Sequence, residues 1–315
     1  MDRSSLPSHH GVEQPVPEDR DYPNETLRLL IERASCRNFA DREIPDETLQ
    51  LILEAGTHAA TGGNLQPYSV ILIRDPAARR RLAELSQQAF VGQAPVSLLF
   101  CIDWHRLGRW AELEVAPFTA ADSFQHFWIS FQDTVICAQN ICTAADALGL
   151  GSVYIGTVLC FFHELREMFA LPPRVQPVVL LCLGYPQARP APRRKLGVES
   201  VVHRERYQDP ADAELLRAFD EKYPDRRVEI TLERLGAIRD VCLAVHGEAF
   251  AERCIRTIQT NGCIRAAQHY FGLHYRADVM PEGNEALVAQ TEEFGFGWFR
   301  KFEPPCPPRD RDPGA

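Results

Sequence analysis

The run from Phe124 to Leu148 constrains this chain more than any other stretch. Its Trp128, Phe131, Val135, Ile136, Ile141, Ala145 and Leu148 fall at helical spacing and leave little room for a polar face. A helix that is apolar nearly all round is buried on all sides, so this one is expected as the central helix of a domain or as a seam between two copies. Gly149-Leu150-Gly151 ends it. With 315 residues, 45% of them hydrophobic, the chain has the material to enclose such a helix.

Strand and helix patterns alternate around it. Tyr68–Ile73, Val96–Ile102, Ser152–Ile155 and Val178–Leu183 read as buried strands. Glu25–Arg33 reads as a helix capped by Asn24, Asp46–His58 as a second, a charged third runs from Asp75-Pro76 to about Ser86, and His163–Phe169 is a short fourth. This order predicts an α+β or α/β sheet protein. The segment Gln187–Gly197 is rich in Pro and Arg and reads as a basic loop. Beyond Tyr207 the pattern turns helical. The expected organisation is a disordered lead-in over 1–22, a first domain over 23–209, a helical C-terminal extension over 210–303 and a disordered tail over 304–315.

Composition narrows the function. A net charge of −9 disfavours nucleic acid or an anionic membrane as the main partner, because both call for a basic surface. No run approaches the roughly 18 apolar residues of a membrane span. The opening residues lack the apolar core of a signal peptide, and the cysteines mostly sit in apolar stretches such as VICAQNIC, so the cytoplasm is the expected compartment.

Four segments carry chemistry. In Arg33-Ala-Ser-Cys-Arg37, the residues Arg33, Ser35 and Arg37 alternate along an extended stretch and can converge on one side, offering forked donors and a hydroxyl to a phosphate. The same residues would equally make a solvated charged turn. Gly62-Gly63-Asn64-Leu65-Gln66 joins a helix to a strand, and its two amides present both donors and acceptors; an ordinary connecting loop has the same composition. Gly149–Thr157 is no dinucleotide fingerprint, since its glycines are misplaced and a helix precedes them. It does offer open backbone at Gly156-Thr157 to an aromatic ring, or else a plain helix cap and strand start. Arg193-Arg194-Lys195 is a basic cluster that alone reads as solvated surface. No metal site is expected: HELRE at 163–167 lacks the second histidine of a zinc helix, and the spacing of Cys254 and Cys263, near His269 and His274, is poor.

In their order and spacing, RASCRNF, GGNLQPYS, GQAPVSLLFCID, the helix carrying AQN at 138–140, GLGSVYIGTV, LCLGYP and the basic loop running into VVHRERY resemble the nitroreductase/flavin reductase family, in particular its larger oxygen-insensitive members. The resemblance covers about residues 25–207. It implies an α+β fold with a central mixed sheet flanked by helices, and a homodimer with FMN at the subunit interface. Carried over by position, Arg33, Ser35 and Arg37 would hold the phosphate and the polar edge of the ring, and Asn64 and Gln66 would come from the partner's loop. Tyr154, Ile155, Gly156 and Thr157 would lie against the ring, with an N–H of Gly156 or Thr157 facing flavin N5. Arg193 and Lys195 would complete the phosphate cradle. The chain departs from the pattern at Ala34, where relatives often have a basic residue, at Thr157, where glycine is common, and in the order of Arg193 and Lys195.

The implied activity is a ping-pong hydride transfer from NADH or NADPH to a nitroaromatic, quinone, flavin or similar acceptor. No catalytic side chain is required, because the cofactor carries the chemistry. A dedicated flavin oxidase or dehydrogenase of a biosynthetic intermediate, and a non-catalytic flavin-binding scaffold, are the alternatives. The aromatic region after 210, with His269, Tyr270, His274, Tyr275 and Arg276, either packs as scaffold and dimer arm or roofs the flavin.

Overall fold

The computed structural model describes residues 21–303. The expected lead-in up to residue 20 and the expected tail from residue 304 lie outside the described residues. Asn24 starts the first helix, α1 (Glu25–Glu32), by accepting from the Leu27 N–H at 3.0 Å, as its short polar side chain suits it to do. Pro45 precedes α2 (Asp46–Thr57), which buries Leu49 and Ile52 on one face. The chain then runs through β1 (Tyr68–Ile73), α3 (Pro76–Ser86), α4 (Ala89–Gln93), β2 (Val96–Asp103) and α5 (Trp104–Leu113). The long apolar segment is α6 (Phe124–Ala147), followed by β3 (Gly151–Ile155), α7 (Phe162–Phe169) and β4 (Val175–Gly184).

The four strands form one sheet in the order β1-β2-β4-β3, every neighbouring pair antiparallel. Tyr68 stands opposite Ile102, Val96 opposite Leu183 and Gly151 opposite Gly184. The parallel component of the sheet is a single bridge, between Ser35 and Ser152. β2 is buried along its whole length and β4 nearly so, and they read as unbroken apolar runs because both faces are covered. On one face Leu98, Phe100, Leu181 and Leu183 pack against Ile52 of α2 and Ile141 of α6. On the other, Leu99, Cys101, Leu180 and Cys182 pack with Leu82 of α3 and Phe162 of α7. Each such fully buried Leu or Phe contributes roughly 1.5–3 kcal/mol.

α6 is not buried on all sides within the chain. Its inward residues include Thr134, Cys137, Ala138, Ile141 and Ala145, while Phe124, Trp128, Phe131 and Val135 stay exposed, Trp128 by 52%. Sequence periodicity could not tell the two faces apart because both are apolar.

Two compact units divide the described residues: 21–190 with 285–303, and 191–284. The change of composition near 210 therefore does not mark where the units part; the chain leaves the sheet-bearing unit soon after β4, before helical patterning becomes visible. The second unit contains α8 (Val198–Val201), α9 (Asp212–Lys222), α10 (Leu232–His246), α11 (Glu248–Asn261), α12 (Ala266–His269) and a π-helical turn at Tyr270–His274. Its core gathers Ile238, Cys242, Ala251, Ile258 and Ile264. After it, α13 (Asn284–Glu293) leads back into the first unit, where Phe294 and Phe296 are buried in the sheet's core and Phe294 lies 5.9 Å from Phe162, centroid to centroid.

Candidate active site

The segment after α1 runs extended against β3. Cys36 donates its N–H to the Ser152 carbonyl at 2.9 Å, which fixes the register of Ser35 beside Ser152. This close approach requires Gly151, because a Cβ there would stand 2.5 Å from the Cys36 Cβ. Arg33 does not fan outward with its neighbours. Its Nε donates to the Cys142 Sγ at 3.1 Å, one terminal nitrogen donates to the Ser152 Oγ at 3.2 Å, and the Asp146 carboxylate lies 3.7 Å away. The guanidinium also sits 5.9 Å from the Tyr154 ring. Arg37, two positions further along the strand from Ser35, is exposed with its guanidinium 5.9 Å from the Phe90 ring of α4.

β3 delivers the third segment to the same place. Tyr154 is half-buried, with burial raising its phenol, and its hydroxyl donates to the Gln139 Oε1 at 3.5 Å. Ile155 turns into the core. Gly156 then opens a 3₁₀ turn (Gly156–Cys160); it is exposed, and a Cβ built on it would meet nothing within 4 Å. Thr157 follows, its Oγ1 accepting from the Gln88 Nε2 at 3.4 Å. Structure thus joins Arg33, Ser35 and Tyr154–Thr157 along one edge of the sheet, with Arg37 beside α4.

The loop with Asn64 and Gln66 is held by a different set of neighbours. Gly63, Asn64 and Gln66 all adopt left-handed backbone, at φ 60°, 54° and 49°. Two non-glycine residues in that region cost energy and persist only when their surroundings fix them. Here the Asp133 carboxylate of α6 accepts the Gly62 N–H at 3.2 and 3.1 Å. Arg106 of α5 donates to the carbonyls of Gln66 at 2.7 Å and Tyr68 at 2.8 Å, and the Gln66 amide donates to the Thr57 carbonyl at 3.0 Å. Asn64 is exposed. Arg193 and Lys195 belong to the helical unit, where both are exposed in the loop before α8.

The sheet-bearing unit resembles known proteins. The nitroreductase family model matches residues 30–185. The oxygen-insensitive NADPH nitroreductase of Salmonella typhimurium is 35% identical over 198 residues, which cover 62% of this chain and 80% of the relative. This chain belongs to the nitroreductase family. Among solved structures, that of B. megaterium NfrA2 aligns with a TM-score of 0.65 and 29% identity over 89% of this chain and all of that one. NADPH:FMN oxidoreductase from Vibrio harveyi, solved in complex with NAD+, aligns with a TM-score of 0.59 and 28% identity over 76% of this chain and 98% of its own.

Seen in a member of the nitroreductase family, four further side chains stand out. Gln88 and Phe90 meet Thr157 and Arg37, yet in the sequence they are an unremarkable polar-aromatic pair, at what proves to be the start of α4. Asp133 and Asp146 carried a legible signal: they are the only acids in α6, and both turn inward, to 4% and 8% exposure. A lone carboxylate in an apolar helix needs a partner. Asp133 finds the loop at Gly62, and Asp146 finds Arg33. No helix among the described residues is long and apolar enough to cross a membrane.

Proposed function

We propose that this chain is an FMN-dependent oxidoreductase which takes hydride from NADH or NADPH and delivers it to an organic acceptor in ping-pong turnover, working as a cytoplasmic homodimer. The observation that carries the reading is the pairing of the Arg33–Ser35 segment with β3, the edge strand that ends in the open backbone at Gly156, with Arg37 beside α4. That arrangement has the donors for a phosphate and a pyrimidine edge, and beside them a surface without side chain where a flat ring can rest. The Salmonella relative is named for NADPH and the Vibrio structure for NADPH and FMN, which supports both cofactor and donor.

In this reading FMN, when bound, supplies the acceptance and release of hydride. The protein's part is to bind and to orient. Arg37 and Ser35 hold the phosphate, and Arg33 holds the polar edge. Charge-assisted bonds of this kind contribute roughly 1.5–3 kcal/mol each, enough in sum for a cofactor that stays on through turnover. Tyr154, Ile155, Gly156 and Thr157 form the floor beneath the ring. Asn64 and Gln66 of the partner subunit complete the site, their loop already shaped by Asp133 and Arg106. The exposed stripe Phe124, Trp128, Phe131 and Val135, spaced four, three and four residues apart, is the seam between the copies. The nine cysteines among the described residues are all unpaired, which suits a reducing compartment.

Anaerobic titration of the purified yellow protein tests the proposal. NADH or NADPH should bleach the flavin band, and a nitroaromatic or quinone should restore it. A colourless protein that gains no flavin absorbance with added FMN defeats the reading.

A further inference from the structure

We propose that Asp146 is a positioning residue for the cofactor: from the end of α6 it holds the Arg33 guanidinium in the orientation that meets the flavin, and it does so at the expense of the fold's stability. The inference rests on the assignment of Arg33 to the flavin.

Asp146 stands at the C-terminal end of α6. It is the next-to-last residue of α6, where the helix presents its negative end and an acid is unfavourable. It is also 8% exposed, so its charge is largely stripped of water. Two unfavourable conditions at one carboxylate need a reason. The partner that the geometry gives it is Arg33, 3.7 Å away, whose side chain is itself mostly enclosed. Arg33 leaves its backbone just past the end of α1, and its long side chain has many orientations to lose. Three neighbours remove that freedom: Cys142 at Nε, the Ser152 hydroxyl at one terminal nitrogen, and the Asp146 charge. Of these only Asp146 supplies a charge. Holding Arg33 in advance spares the ordering that binding would otherwise require.

Burial, opposed by Arg33 and Arg189, pushes the Asp146 carboxyl up to about 6 from an ordinary 3.8. Nearby Cys36, a buried thiol, feels the Asp146 charge in turn. The direction of this shift separates positioning from ordinary structural support. Between pH 4 and 6 the folded chain carries a proton on Asp146 that the unfolded chain lacks, so this group's contribution to stability improves as pH falls through that window and worsens as it rises. Flavin affinity should move the other way, because protonation releases Arg33. A structural ion pair would shift both quantities together.

The test uses the full-length protein stripped of flavin. FMN affinity is read from quenching of flavin fluorescence at pH 7.5 and 5.0, and thermal unfolding of the apoprotein is followed in parallel. Asp146→Asn should weaken FMN binding about tenfold at pH 7.5, the scale of one charge-assisted contact, flatten its dependence on pH, and leave the apoprotein's Tm equal or higher. In an Arg33→Ala background the same substitution should have no effect on affinity. Unchanged affinity in Asp146→Asn, an equal loss in the Arg33→Ala background, or a variant that is less stable or does not fold would each overturn the proposal. Wild-type affinity in Arg33→Ala alone would instead remove Arg33 from the flavin and the broader assignment of this edge with it.

Discussion

Arg37 and Gly156 show how differently two residues of the proposed site can be bound into the fold. Arg37 is exposed and rests on Phe90, so little of the core depends on it. Arg37→Ala should leave the circular dichroism spectrum and Tm unchanged while purified protein loses most of its FMN, the cost of one forked phosphate contact being about tenfold or more in affinity. Stoichiometric flavin in that variant would place the phosphate elsewhere. Gly156 faces open space. Gly156→Val should therefore fold normally, with Tm within a degree or two of wild type, yet block the approach of a flat ring and abolish bleaching by NAD(P)H. If the variant retains flavin and bleaches as before, the ring does not lie there. Both residues were visible in the sequence because charge and glycine announce themselves locally. Gln88 was not, and of Asp133 and Asp146, conspicuous as acids in an apolar helix, the partners were not: each acts on a segment far away in the chain, from which neither composition nor spacing gives a distance.

At the level of elements, α6 organises more than the core. One face packs beneath the sheet, and of the two acids on its inner side Asp146 reaches Arg33 of the chain's own proposed site while Asp133 reaches the loop proposed to complete the second copy's. Asp133 is buried and its carboxyl is raised by that burial, with the Gly62 N–H working against the shift. Removing it should therefore relieve a buried charge while freeing the loop it holds. Asp133→Ala is expected to keep or slightly raise Tm, speed amide hydrogen exchange across residues 62–66, and weaken FMN; unchanged exchange in that loop would show that Arg106 fixes it alone. The strands and the longer helices were legible because apolar runs and caps such as Asn24 and Asp75 are local signals. α5 was missed because it follows β2 without a break: Asp103 ends the strand and at once caps the helix, accepting from the Arg106 N–H at 2.9 Å. The left-handed residues Asn64 and Gln66 were equally hidden, their backbone being imposed by neighbours and not by their own preference.

For the molecule as a whole, the seam proposed on the apolar stripe of α6 would make the oligomeric state a precondition of cofactor binding. Trp128 is half exposed in the single chain, so Trp128→Glu should be tolerated by the fold. It should yield a monomer by sedimentation velocity, and that monomer should hold FMN poorly for want of the second copy's loop. A variant that stays dimeric would move the seam to another face. The family and its fold could be read from motif order, whereas the division into units could not: the helical composition past 207 hides the return of residues 285–303 to the first unit. That return has a consequence for biosynthesis. Phe294 and Phe296 fill the interior beside Phe162 only after the helical unit of residues 191–284 has been made. A nascent polypeptide emerging from the ribosome must therefore carry its sheet with one wall missing through the translation of the whole intervening helical unit, a window in which chaperones or the partner's own nascent chain can engage it.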